Sequence, residues 1–210
     1  MRLAVLGPPG SDREAIAGAI ATRLGVPCLS LGDAVQAEMR AETPTALQAL
    51  QHMNAGELVP DQVLLSMIRN RLTQPDVAAG FVLDGFPNHA VTAAALDALL
   101  SDLGPPIDRA IDLVLPDVEV LRRLTGRRTC RDCGRTWRTQ FVAPARPNGC
   151  DHRGGELFQR HDDNPDHVTV GLQSYRPAAA VVLSHYRASG RLTSIDATLT
   201  PAEVAKEALA

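Results

Sequence analysis

Short apolar runs alternate with longer stretches of helical periodicity along most of this chain, and that alternation limits its possible folds more than any other feature. Leu3–Leu6, Cys28–Ser30, Phe81–Leu83, Ala110–Leu115 and Leu192–Ile195 read as strands. Arg13–Leu24, Asp33–Ala41, Ala46–Ala55, Asp61–Leu72, Thr92–Leu100, Asp117–Thr125, His167–Ala188 and Pro201–Leu209 read as helices. Thr200, with Pro201 and Glu203 behind it, is a helix start signal. Strand–helix alternation of this kind predicts an α/β fold, a doubly wound parallel sheet with helices on both faces. Ligands of such sheets bind beyond the carboxyl ends of the strands.

Composition narrows the function classes. A chain of 210 residues, 45% hydrophobic and 21% charged, suits one soluble domain over 1–210 with an inserted subdomain. The net charge of -3 gives no basis for a nucleic-acid or anionic-membrane partner. No run approaches the ~18 apolar residues of a membrane span, and the N-terminus enters a strand without a signal-peptide layout. A cytoplasmic monomer is the expectation. Lys206 is the only lysine, so no lysine precedes it to serve as a phosphate-binding cation.

Residues 126–160, GRRTCRDCGRTWRTQFVAPARPNGCDHRGGELFQR, break the alternation and read as a small β-rich insertion. They hold Cys130, Cys133 and Cys150, and in a cytosolic chain such a cluster suggests a metal before a disulfide. Tetrahedral Zn2+ takes four ligands, and His152 or Asp151 stands beside the third cysteine to complete the set. The alternative is a metal-free insertion packed around Trp137 and Phe141. Cys28, alone between Pro27 and Leu29, reads as a small buried hydrophobe.

Residues 3–15, LAVLGPPGSDREA, form an apolar strand running into a glycine-rich turn. Gly7, Pro8, Pro9 and Gly10 can aim backbone N–H groups at an anion. A phosphate-binding loop of the Gly-x-x-x-x-Gly-Lys-[Ser/Thr] type would follow with Gly, Lys and a hydroxyl residue. Here Asp12, Arg13, Glu14 and Ala15 follow instead. Arg13 keeps the charge in a bulkier, planar form. Either it serves a phosphate or it pairs with Asp12, Glu14 or Asp84 in an empty loop.

These segments resemble adenylate kinases in order along nearly the whole chain. LAVLGPPG is similar to the phosphate-loop strand and turn, LSLGDAVQAEM to the I-S-T-G-D-[ML]-L-R segment, and GELVPD at 56–61 matches directly. FVLDGFPN resembles V-L-D-G-[FY]-P-R, while LTGRRTCRDCG and GELFQRHDDN resemble the lid. IDATLTPAEV resembles the C-terminal strand and helix. The resemblance implies a P-loop kinase fold, an NMP-binding helical segment over 30–60, a lid over 126–160, and phosphoryl transfer with ATP and Mg2+. It also implies a structural Zn2+ in the lid on Cys130, Cys133 and Cys150; the family's fourth ligand position falls on Arg153, which cannot bind, and His152 or Asp151 beside it could serve with a changed loop path.

Its site residues carry over unevenly. Asp84 falls where the family orients Mg2+-bound water, and Asp33 where it places an acid beside the phosphates. Arg123, Arg127 and Arg160 fall on family arginines, the first near the ATP base and the others on phosphates. Asp162 and Asp163 match its acidic pair after the lid. The acceptor side departs: Gln36, Asn88 and Gly171 stand in place of arginines, and Thr92 in place of the glutamine that reads the AMP base. Arg40, one turn beyond Gln36, could reach a phosphate from the same face. The expectation is therefore weak or absent phosphotransfer, in a nucleotide-responsive binding module with nucleotide held mainly on the ATP side. The alternative is an active kinase converting ATP and AMP to two ADP at a diverged site.

Overall fold

A computed structural model describes residues 1–210 apart from 56, 58, 139–143 and 147 and the side chain of Arg138. Phe141 and two residues of the GELVPD segment thus lie outside the described residues. The chain divides into two compact units, one of Met1–Gly7, Asp12–Val114 and Ala178–Ala210, the other of Pro8–Ser11 and Leu115–Pro177.

The first unit is built on a five-stranded parallel sheet. Its strands are β1 (Arg2–Leu6), β2 (Cys28–Ser30), β3 (Phe81–Asp84), β4 (Arg109–Val114) and β8 (Leu192–Asp196), in the order β2-β3-β1-β4-β8. The helices of this unit are α1 (Arg13–Leu24), α2 (Leu31–Arg40), α3 (Pro44–Asn54), α4 (Asp61–Leu72), α5 (Ala90–Leu103) and α8 (Pro201–Glu207). Leu3, Ala4 and Val5 on β1, and Val82 and Leu83 on β3, are wholly buried, as sheet residues covered on both faces must be. Phe81, Leu83, Leu96, Leu100, Ile107 and Tyr186 anchor the main core. The doubly wound parallel architecture expected from the sequence is the one found.

Several boundaries move for local reasons. α2 begins at Leu31 because Ser30 ends β2 and also caps the helix, its hydroxyl accepting from the Asp33 N–H at 3.0 Å. α5 begins at Ala90, two residues before the expected start, because His89 and Thr92 cap it reciprocally. Thr200 and Glu203 form the reciprocal cap that the sequence signalled for α8.

The second unit carries α6 (Asp117–Thr125) and a small antiparallel sheet of β5 (Arg127–Cys130), β6 (Thr136–Arg138) and β7 (Leu157–Phe158), ordered β6-β5-β7. Its last element, the first part of α7 (Pro165–Ala188), continues into the first unit. The division between units falls at Pro177, which lacks the N–H needed for an interior helical bond.

Candidate active site and thiol cluster

In the first unit the site forms at the carboxyl ends of the central strands. Register sets Asp84, the last residue of β3, beside Val5 of β1 and Ser30 of β2. Asp84 is buried, and its Oδ1 accepts from Arg13 Nε at 2.5 Å. Of the alternatives open for Arg13 in the sequence, this ion pair is the one formed. The guanidinium lies against Gly85, which holds φ 71°, so a side chain there would be strained and would displace the guanidinium from its place. Asp12, before α1, holds the left-handed conformation at φ 60° that a glycine adopts without strain.

A pocket of about 640 Å³ opens beside the pair, lined among others by Glu14, Cys28, Ser30, Asp33 and Gln36. It sets three carboxylates, those of Glu14, Asp33 and Asp84, against the single Arg13 guanidinium. Cys28 reports the resulting field. Burial, then the charges of Asp84, Asp33 and Glu14, push its thiol up to about 11. The sequence reading placed Cys28 in the core; it is half-buried and lines this pocket instead.

The acceptor-side replacements are engaged locally. Gln36 accepts from Arg40 at 3.1 Å, so Arg40 is held on its own helix. The Thr92 hydroxyl donates to the His89 carbonyl at 2.8 Å, and His89 meets Asp61 at 3.1 Å. Asn88 is exposed.

In the second unit, Pro8–Ser11 turn back on themselves through the Ser11 N–H, which donates to the Pro8 carbonyl. Arg123 is buried, donating from Nη1 to the Gly10 carbonyl at 3.1 Å and from Nε to Glu119 at 2.7 Å. Hydrogen bonding from Arg122, opposed by burial and joined by Arg123, holds the Glu119 carboxyl at about 2. Arg127 grips the wholly buried Asp163 from Nε and Nη2, at 3.0 and 2.5 Å. Arg160 meets Asp162 at 3.0 Å on the surface. Gly171 is exposed on α7. Sequence reading passed over Glu119, although its spacing of four from Arg123 on one helix was the signal available.

The thiols of Cys130, Cys133 and Cys150 lie within 4.8 Å of one another, with Cys133 and Cys150 sulfurs 3.7 Å apart. Leu157 and Trp137 pack around them. The group can hold a metal ion. His152 does not join it: the side chain is exposed, and the cluster among the described residues is the three thiols alone. The Asp151 carboxylate accepts the Ala145 N–H at 3.0 Å. A closed four-ligand zinc site is therefore not completed. Toward Mg2+, Asp84 has its Oδ1 engaged by Arg13 and Ala15 offers no hydroxyl, which leaves Asp84 Oδ2 to face a metal-bound water.

The family model described as adenylate kinase matches residues 5–191. This chain belongs to the adenylate kinase family. Curated proteins named adenylate kinase are similar along their length. That of Salinispora tropica is 47% identical over 198 residues, covering 94% of this chain and 91% of its own. That of Acidothermus cellulolyticus is 43% identical over 210 residues, covering 100% and 97%. That of Archaeoglobus fulgidus is 39% identical over 198 residues, covering 94% and 91%. No described helix is long and apolar enough to cross a membrane.

Proposed function

We propose that this chain binds ATP and supports phosphoryl transfer from ATP to AMP, yielding two ADP, at a rate far below that of an ordinary kinase. The relatives' name supports transferase activity better than its absence, so the reaction class is taken from them and the rate from this chain's own residues. The observation that carries the slow rate is the Arg13–Asp84 pair. Phosphoryl transfer is catalysed by positioning and by cations that stabilise charge on the moving group. Arg13 offers a charge already spent on a carboxylate 2.5 Å away, and any phosphate must compete for it. Arg123, Arg127 and Arg160 supply the remaining family cations, on the ATP side.

Each charge-assisted contact to a phosphate is worth ~1.5–3 kcal/mol. Three replaced arginines and an altered lysine together remove roughly 6–12 kcal/mol by crude addition, or at least about four powers of ten in rate. Coupling between sites makes the true sum smaller. A second reading, a fully active adenylate kinase with a diverged acceptor site, is favoured by relatives sharing that name at 39–47% identity. A coupled ADP-release assay across AMP, GMP, CMP and UMP separates the two. Turnover about four orders below the ~1–100 s⁻¹ of kinases is expected, and turnover within that range would establish the second reading.

A further inference from the structure

The net charge of -3 averages over two regions of opposite sign. Residues 126–160 hold eight arginines against Asp132, Asp151 and Glu156, while the rest of the chain holds 13 basic and 21 acidic residues. Nucleotide binding as proposed above uses only Arg127 and Arg160 of the insertion. The other arginines form a separate surplus of positive charge, which favours an anionic partner.

The backbone gathers that surplus onto one set of interlocked turns. The Cys130 N–H donates to the Arg135 carbonyl at 2.9 Å, the Arg131 N–H to the Glu156 carbonyl at 3.0 Å, and the Gly149 N–H to the Arg146 carbonyl at 3.0 Å. The Cys150 N–H donates to the Gly155 carbonyl at 2.9 Å, closing the turn that carries Arg153. Arg135, Arg146 and Arg153 are exposed, and among the described residues none of the three has a carboxylate partner. Glu156 is taken by Arg131 and Asp151 by the Ala145 N–H. Arg131 itself is held as a plane. Its guanidinium lies over the Phe158 ring, 4.6 Å from the centroid, and Glu156 accepts from its Nε at 3.0 Å. The side chain is still 58% exposed, so the face away from Phe158 is open. A guanidinium plane backed by an aromatic ring is a stacking surface for an unpaired nucleobase.

We infer that these turns bind single-stranded nucleic acid, with phosphates on Arg135, Arg146 and Arg153 and an unpaired base on the open face of Arg131. The occupant follows from the combination of charge and plane. An acidic protein segment or inorganic polyphosphate would answer the charges and leave the plane idle. A duplex keeps its bases stacked on one another and offers none to Arg131. No described helix lies within residues 126–160, so nothing there enters a duplex groove as a recognition helix does.

The test is fluorescence anisotropy of the full chain with labelled uridine and thymidine oligomers of about twelve nucleotides. The two arms tell RNA from DNA through the 2′-OH. Three phosphate contacts predict binding roughly twentyfold weaker at about 200 mM salt than at about 50 mM. Arg135→Gln, Arg146→Gln and Arg153→Gln together should flatten that dependence. Arg131→Ala should weaken binding at least about fivefold. Arg131→Lys should cost nearly as much and keep the salt dependence, because the charge survives and the plane does not. Circular dichroism checks that each variant keeps its fold. Failure of both oligomers to bind at about 50 mM salt overturns the inference. So does equal binding of a duplex, of inorganic polyphosphate or of poly-glutamate, or wild-type affinity in Arg131→Lys. Displacement of the oligomer by excess ATP also overturns it, by placing the oligomer in the nucleotide site. None of these readings depends on turnover, so they stand or fall apart from the proposed phosphotransfer.

Discussion

Replacing Asp84 by Asn should tighten ATP binding in the absence of Mg2+, the reverse of what a carboxylate serving only a metal would do. Arg13 Nε lies 2.5 Å from Asp84 Oδ1. With charge centres about 4 Å apart and an effective dielectric of about 20, the attraction is about 4 kcal/mol. The Arg13 side chain is 36% exposed, so solvent reduces this, to about 2 kcal/mol by the behaviour of partly exposed pairs. A phosphate can recruit the guanidinium only after that attraction is given up. The Asn variant keeps the side-chain shape and removes the competitor, which sets a ceiling of roughly thirtyfold on the gain in affinity. Glu14 and Asp33 remain nearby, so a gain of about five- to thirtyfold is expected. Calorimetric titration with ATP in EDTA reads it directly, with circular dichroism to check the fold. The same titration with Mg2+ should show a smaller gain, because the variant has also lost a potential metal-facing oxygen. A folded variant whose Mg2+-free ATP affinity is unchanged or weaker would refute the reasoning, since Arg13 would then not be held back by Asp84.

Two further outcomes follow from neighbouring geometry. Arg13→Lys alone should change ATP affinity little, because the lysine meets the same Asp84 carboxylate. Combined with Asp12→Gly, which relieves the left-handed φ of 60° and removes a negative charge, it should raise ATP affinity, and equal affinities for the single and double variants would contradict this. Asp97 on α5 accepts from Arg191 Nη2 and from His185 Nε2, both at 2.8 Å. Burial works against its charge, but the hydrogen bonds from Arg191 and His185 outweigh burial and lower its pKa. Asp97→Asn should therefore cost about 2 kcal/mol. Because the folded pKa is depressed, the difference from wild type should be full above the ordinary carboxylate value near ~3.9. It should shrink as pH falls through the depressed value. Urea melts from pH 7 downward measure it, and a difference that vanished already near neutrality would contradict the assignment to the Asp97 carboxylate.

The parallel sheet was legible because buried strands of a doubly wound fold must be short and apolar, and Leu3–Leu6 and Phe81–Leu83 have no other reading. Boundaries were less legible where one residue serves two elements. Ser30 closes a strand and caps a helix with nothing between, and His89 caps α5 without belonging to the usual capping residues. The partner of Arg13 was open among three acids, two of them sequence neighbours. The sheet decides for the distant one, since β3 lies beside β1 in a register that pairs Val5 with Asp84.

The cations show most clearly what composition withholds. Twenty of the 21 basic residues are arginines, and that count suggests a chain well supplied for phosphate. Yet Arg13 is joined to Asp84, Arg123 to Glu119, Arg127 to Asp163 and Arg160 to Asp162. The four pairs are not equivalent. Arg160 and Asp162 are both exposed, so their attraction is small and readily exchanged for a phosphate. Asp163 is wholly buried, and moving Arg127 away would strand its charge, at a cost of about 3–5 kcal/mol. Arg123 is buried and also holds the Gly10 carbonyl, so moving it toward a phosphate would break the contact that shapes the loop. On the proposed function, the cation most easily recruited should be Arg160, and the one whose release decides binding beside the anionic pocket Arg13. On the proposed function, phosphate affinity in this chain should follow how tightly each arginine is already held, and hence the carboxylates rather than the number of positive charges.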